Sequence, residues 1–170
     1  MKKLLLCSGP TDSPYGNDGW FRVDGKEEFR PDFVSELPPI PKEVADMGPW
    51  DRIALIHGIE HFYVWDAFAL VQQCLSLLSN EGELILEQPD LQKCCEYFDS
   101  PQSILGIYGY TGSCDPAMAH RFGYTPHMLT NLVKRAGFEE VRIERPLFHN
   151  IDRDFRLVAI KKGFPENAVQ

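Results

Sequence analysis

Three groups of residues in this sequence have the types and spacing to do chemistry. The first is His57-Gly58-Ile59-Glu60-His61, two imidazoles and a carboxylate within one short segment. It fits H-x-x-E-H, the inverted form of a zinc-protease motif. That chemistry needs both histidines on one helical face, the glutamate as base, and a third protein ligand. Here His57 closes a strand-like run and Gly58 follows at once, which argues against helical geometry at His57. A zinc hydrolase through His57, Glu60 and His61 therefore stays behind the other readings, and no metal set is assigned. The second group is His120-Arg121-Phe122-Gly123-Tyr124. His61 and His120 are of the type that takes a proton from an acceptor, and Tyr124 could position one. The segment equally suits a packed lead-in to a helix. The third is Asp24, an acid at the end of a strand, which either accepts hydrogen bonds from paired hydroxyls or caps the turn at Gly25.

These residues must be held by elements that the pattern makes visible. Lys3 to Cys7 reads as a short buried strand stopped by Ser8-Gly9-Pro10. Trp20 to Asp24 is a second strand and Asp32 to Ser35 a third, with a short helix starting near Pro41. Arg52 to Ile56 is the central strand, buried on both faces. Val64 to Leu78 carries Phe68, Val71, Leu75 and Leu78 at helical spacing and stops at Asn80-Glu81-Gly82. Glu83 to Glu87 follows as a strand, so strand, helix and strand form a crossover unit with parallel pairing. Asp90 to Phe98 reads as helical, whereas Gln102 to Pro116 fits no element. Thr125 caps a helix that has Pro126 in its first turn and Gly137 as its stop. Val141 to Glu144 and Phe155 to Lys161 have no helix between them and should pair antiparallel.

Length and composition bound the functions open to the chain. Its 170 residues suit one core, and its formal charge of -8 disfavours unaided binding of nucleic acid. A late basic cluster, including Lys134, Arg135, Arg142, Arg145, Arg153, Arg156, Lys161 and Lys162, reads as a solvated face or as a site for an acidic substrate. Leu4-Leu5-Leu6 is too short for a signal segment, and no window approaches the ~20 apolar residues of a membrane span. Cytoplasm is the expected compartment. The cysteines Cys7, Cys74, Cys94, Cys95 and Cys114 show no C-x-x-C spacing and read as reduced thiols.

The local wording adds a resemblance over nearly the whole chain, from Leu4 to about Lys162. It is carried by Gly19-Trp20-Phe21-Arg22-Val23-Asp24, Pro31-Asp32-Phe33-Val34-Ser35-Glu36-Leu37, His57-Gly58-Ile59-Glu60-His61-Phe62 and Ser79-Asn80-Glu81-Gly82-Glu83-Leu84. Gln88-Pro89-Asp90-Leu91, His120-Arg121-Phe122-Gly123-Tyr124-Thr125 and Ala136-Gly137-Phe138 complete it in order. The chain resembles class I S-adenosylmethionine (SAM)-dependent methyltransferases, in the small type 11-like subgroup whose first two strands are joined by a short loop. The family's glycine-rich turn is reduced here to Leu6-Cys7-Ser8-Gly9-Pro10, with Gly16 and Gly19 beyond it.

The resemblance implies an α/β, Rossmann-like fold. Its mostly parallel seven-stranded sheet would end in an antiparallel hairpin, with helices on both faces. The domain would span 1–163, leaving 164–170 as a tail. SAM would be the cofactor, with Cys7, Ser8 and Gly9 at the turn and Asp24 on the ribose. Glu36 and Leu37 would lie at the adenine, and His57, Gly58 and Ile59 would line the crevice. His61 and His120 are then candidate bases and Tyr124 a positioning group, with Tyr108 and Tyr110 in a loop over the substrate. The implied activity is methyl transfer to a small-molecule or saccharide-like acceptor, with no membrane partner and homo-oligomers left open. An inactive methyltransferase-like binding or assembly module is the alternative.

Overall fold

The computed structural model describes residues 1–10, 19–96, 98–109 and 115–163. Gly16, Tyr110, Cys114 and the 164–170 tail lie outside the described residues. Among the described residues seven strands form one sheet: β1 (Lys3–Leu6), β2 (Trp20–Asp24), β3 (Phe33–Val34), β4 (Trp50–Ile56), β5 (Leu78–Pro89), β6 (Glu140–Glu144) and β7 (Asp154–Ile160). Their order is β3-β2-β1-β4-β5-β7-β6. The first five run parallel, and β7 lies antiparallel between β5 and β6. This is the Rossmann-like methyltransferase arrangement, a parallel sheet finished by an antiparallel hairpin. Five helices accompany it: α1 (Lys42–Asp46), α2 (Val64–Leu77), α3 (Leu91–Glu96), α4 (Pro101–Tyr108) and α5 (Pro126–Ala136).

Alternation along the strands divides the side chains between two faces. Leu4 and Leu6 of β1, Ile53 and Leu55 of β4, and Leu84 and Leu86 of β5 point into the larger core. There they meet Val44 of α1, Leu70 and Val71 of α2, and Leu129 and Val133 of α5. The opposite face holds a smaller cluster, Leu5, Ala54, Ile56, Ile85 and Val158, covered by Trp20 and Phe148. The helices α1, α2 and α5 thus give their buried residues to one face. The other face is crossed by charge pairs: Glu83 meets Arg52 and Arg142 at 2.9 and 3.0 Å, and Glu87 meets Arg156 at 2.8 Å.

Much of the late basic cluster is used in this way. Arg153 pairs with Asp154, and Lys162 with Glu81 and Glu140. Lys161 Nζ donates to the Leu78 carbonyl at 2.7 Å, beside the C-terminus of α2, where a cation is favoured. These residues counter acids and carbonyls of the fold instead of forming one free patch.

Local chemistry sets the element ends. In α5, Thr125 Oγ1 accepts from the Met128 N–H, Pro126 starts the helix, and Gly137 closes it in the left-handed region. By contrast α2 stops earlier than Asn80-Glu81-Gly82 suggests, because Leu78 already pairs with Trp50 in the sheet. Helix α4 occupies the stretch that fits no element from sequence. Ser100 caps it through Ser103 N–H, and Gly106 lets it approach α3, since a Cβ there would sit 2.5 Å from Cys94 Sγ.

Candidate functional site

The strand order reverses direction between β1 and β4, so the carboxyl ends of these strands form the switch-point crevice where open α/β sheets bind ligands. The turn after β1 enters this crevice. Cys7 has φ 52° and Gly9 φ 62°, both left-handed. The Ser8 N–H donates to the Val23 carbonyl at 3.2 Å, and the Gly9 N–H to Asp24 Oδ2 at 2.9 Å. Asp24 Oδ1 accepts from the Lys26 N–H at 3.0 Å. Arg22 Nη2 donates to the Gly9 carbonyl at 2.6 Å from the far side. An acid and a guanidinium therefore shape a turn that a glycine-rich sequence would otherwise shape. The thiol of Cys7 is pushed well up by burial and by the nearby charges of Asp24 and Glu60, which keeps it neutral.

The two strand ends differ in what they leave for a ligand. Among the described residues each Asp24 oxygen accepts one hydrogen bond and keeps a lone pair, and none stands within 4 Å of a Cβ placed at Gly9. Against that, the turn's N–H groups at Ser8 and Gly9 are already spent within the protein. Gly58 packs closely on the turn, since an added Cβ would stand 3.0 Å from the Cys7 Cβ. Of the adenine candidates, Glu36 is exposed and Leu37 half-buried against the main core.

Beyond β4 stands a compact group of imidazoles and carboxylates. His57 takes φ 50°, a conformation that costs a side-chain-bearing residue about 1 kcal/mol or more unless its surroundings impose it. They do. Its Nε2 lies 2.8 Å from Asp154 Oδ2 and its Nδ1 3.3 Å from Glu60 Oε1. Asp154 also accepts from Arg153 Nε at 2.6 Å and from the Asn150 N–H at 3.3 Å. Burial opposes a charge on His57, but the Asp154 hydrogen bond and Glu60 outweigh it and push the imidazole up to about 9. The His57 ring thus lies between two carboxylates, bonded through Nε2 to Asp154 and in looser contact with Glu60 through Nδ1. The ring of His149 packs on it at 4.1 Å between centroids.

Glu60 is 2% exposed and lies in the middle of the short 3-10 turn Ile59–His61. Burial favours its neutral form, yet contact with His57 and the nearby His61 and His120 hold it below the usual carboxylate range. Neither carboxylate oxygen has an aligned hydrogen-bond donor among the described residues, for the His57 contact is close but poorly directed. Its backbone carbonyl accepts from the Arg121 and Phe122 N–H groups, bringing the 119–124 segment alongside. The Nδ1 of His61 donates to the Ala119 carbonyl at 3.2 Å, and that of His120 to the Gly106 carbonyl at 3.0 Å. The two rings meet edge to face at 5.0 Å. One oxygen of Glu60 and one nitrogen from each of these histidines lie within 4.8 Å of one another, the atoms most suited to hold a metal.

The structure thus gathers Cys7, Gly9, Asp24, His57 and Gly58 at one crevice and His61 and His120 beside Glu60. Three expectations change. Ile59 is fully buried in the main core, so its side chain packs instead of lining the crevice. Ser8 is likewise buried, with its N–H committed to β2. Tyr124 is 1% exposed, packs on Phe122, and has a hydroxyl without a hydrogen-bond partner among the described residues. Its ring packs in the core and also lines an apolar cavity with Val64, Phe68 and Leu132. The hydrolase reading also loses its geometry, because His57 Nε2 is bonded to Asp154 and His57 stands outside the group of atoms close enough to share a metal. Asp154, Arg22 and His149 were missed, since nothing in spacing links position 57 to a strand end so far along the chain.

No family model and no curated protein matches this sequence. Solved structures do. The chain is similar to a SAM-dependent methyltransferase from Archaeoglobus fulgidus (16% identity, TM-score 0.62, covering 94% of this chain and 86% of that one). It is similar to one from Clostridium acetobutylicum (11%, 0.62, 95% and 84%). It is also similar to magnesium protoporphyrin IX methyltransferase from Synechocystis with bound SAH (15%, 0.61, 95% and 74%). At these identities the likeness establishes a shared fold.

Proposed function

We propose that this chain is a SAM-dependent methyltransferase acting on a small-molecule or saccharide-like acceptor. The observation that carries the reading is the position of Asp24. It lies at the carboxyl end of β2, bonded to Gly9 after the neighbouring β1 and beside the switch-point crevice, with one lone pair left on each oxygen among the described residues. Bound there, SAM would supply a methyl group already activated by its sulfonium. Asp24 would hold both ribose hydroxyls, and the open side of Gly9 would admit the ligand close to the backbone. Glu36 and Leu37 would flank the adenine, and Cys7 and Gly58 would bound the methionine end. The protein's task in such an in-line transfer is alignment and exclusion of water. His61 and His120 stand next to the crevice as groups that take the acceptor's proton where one must leave.

A second reading draws on the same turn. With the Ser8 and Gly9 N–H groups used internally, a methyltransferase-shaped binding module without turnover is also supported. Calorimetric titration with SAM and with its demethylated product separates the two. The enzyme reading expects micromolar binding of both, lost in Asp24→Ala and weakened in the better-folding Asp24→Asn. A folded protein that binds neither ligand supports the module.

A further inference from the structure

We infer that Glu60, His61 and His120 form a binding site for one first-row divalent cation such as zinc, cobalt or manganese. Three features of geometry carry this. The first is the unsatisfied acid: Glu60 is almost fully buried, and neither of its oxygens has an aligned donor among the described residues. A buried carboxylate is costly unless donors and cations meet it, and the single poorly directed contact from His57 leaves both oxygens able to take a further partner. The second is tautomer. Carbonyls only accept, so Ala119 and Gly106 fix the proton of each histidine on Nδ1. That leaves each Nε2 with a lone pair, the arrangement metal-binding histidines use, with the other ring N–H held by a backbone carbonyl. The third is distance.

His120 Nε2 stands 3.9 Å from Glu60 Oε1, and all three ligand atoms fall within 4.8 Å. Ligands on a common tetrahedral ion at ~2.0–2.1 Å lie roughly 3.4 Å apart, so gaps of up to about 1.4 Å must close, each shared between two side chains. Two imidazoles and one carboxylate suit a borderline first-row ion better than magnesium or calcium. Three protein ligands leave further coordination positions open, as at catalytic metal centres and unlike closed structural ones. His61, the half-exposed member, sets the side on which those positions face. His57 stands outside this set: its Nε2 is bonded to Asp154 and its Nδ1 only approaches Glu60. It neutralises charge behind Glu60 and fixes where that carboxylate points.

The cation site stands independently of the methyl-transfer reading. Where both hold, the ion would bind an acceptor oxygen and make its proton easier to lose, which deepens the role proposed for the histidines.

The test uses the full chain, stripped with a chelator and free of SAM. Cobalt(II) is titrated while visible d–d absorption is followed, and zinc uptake is measured by calorimetry. We expect one equivalent of either ion and the absorption of histidine-ligated cobalt. His61→Asn, at a half-exposed position that tolerates change, should weaken binding by more than about a hundredfold, and Glu60→Gln likewise. His127→Asn, on an exposed face of α5, should leave it unchanged. The inference is overturned if the folded protein takes up no stoichiometric ion, or if His61→Asn binds as the parent does. Failure to bind SAM alongside normal cobalt uptake would reject the methyltransferase reading and keep this one.

Discussion

Replacement of Glu87 by alanine should be among the most damaging single changes in this protein, although Glu87 is no candidate for catalysis. Its carboxylate is completely buried and accepts three hydrogen bonds: from the Leu147 N–H at 3.0 Å, the Phe148 N–H at 2.7 Å and Arg156 Nε at 2.8 Å. Glu87→Ala leaves the nearly buried Arg156 without a counter-charge and frees two amides that hold the segment bearing His149. Breaking one partner of a buried ion pair costs about 3–5 kcal/mol. That is a large part of the roughly 5–15 kcal/mol that holds a domain together. With a urea slope of about 2 kcal/mol/M for a chain this size, the unfolding midpoint should fall by about 2 M. The assay is urea unfolding followed by far-UV circular dichroism at neutral pH. Adding Arg156→Met to Glu87→Ala should recover part of the loss, because the stranded charge is gone. A loss below about 1 kcal/mol for Glu87→Ala, or a double variant as unstable as the two single effects added together, would refute the reasoning.

Three further outcomes are expected. Thr125→Ala should lower stability by about 1 kcal/mol through loss of the α5 cap, read as a fall in urea midpoint, and Thr125→Ser should restore it. Gly106→Ala should lower the melting temperature, because the new methyl meets Cys94 Sγ at 2.5 Å, and Cys94→Ala in the same chain should relieve part of the effect. Thiol alkylation of the native protein, mapped by mass spectrometry, should mark exposed Cys95 quickly and spare Cys74 and Cys94. Burial pushes these two up to about 12 and about 11, so at pH 8 at most about one Cys94 in a thousand is thiolate. Their labelling should rise with pH, and rapid modification of Cys74 in folded protein would contradict the placement.

Much of the fold is legible in the chain because its signals are local. Thr125-Pro126 and Gly137 bracket α5 through capping geometry alone. Ile53 to Ile56 announces a doubly covered strand, and the missing helix between β6 and β7 gives the antiparallel hairpin. What stays hidden depends on distant partners. Gly106 reads as a helix breaker until Cys94 and Arg153 are seen against it. The helix stop suggested by Asn80-Glu81-Gly82 gives way to a sheet pairing that no window of sequence contains. At the site, Asp24, His61 and His120 stand out by type and neighbours. The distant partner of His57 does not, since Asp154 becomes its neighbour only when β7 lies beside β5. Ile59 and Tyr124 show the reverse failure: residues within a functional-looking phrase whose side chains fill the interior.

The tie between Asp24 and Gly9 bears on how such a protein can vary. A tight bend is ordinarily preserved by keeping its glycines. Here part of that burden has moved to an acid on the adjoining strand, which grips the bend by its backbone and so tolerates bulkier letters within it. Conversely, exchange of the acid would endanger the bend even in a descendant that no longer needed any nucleoside.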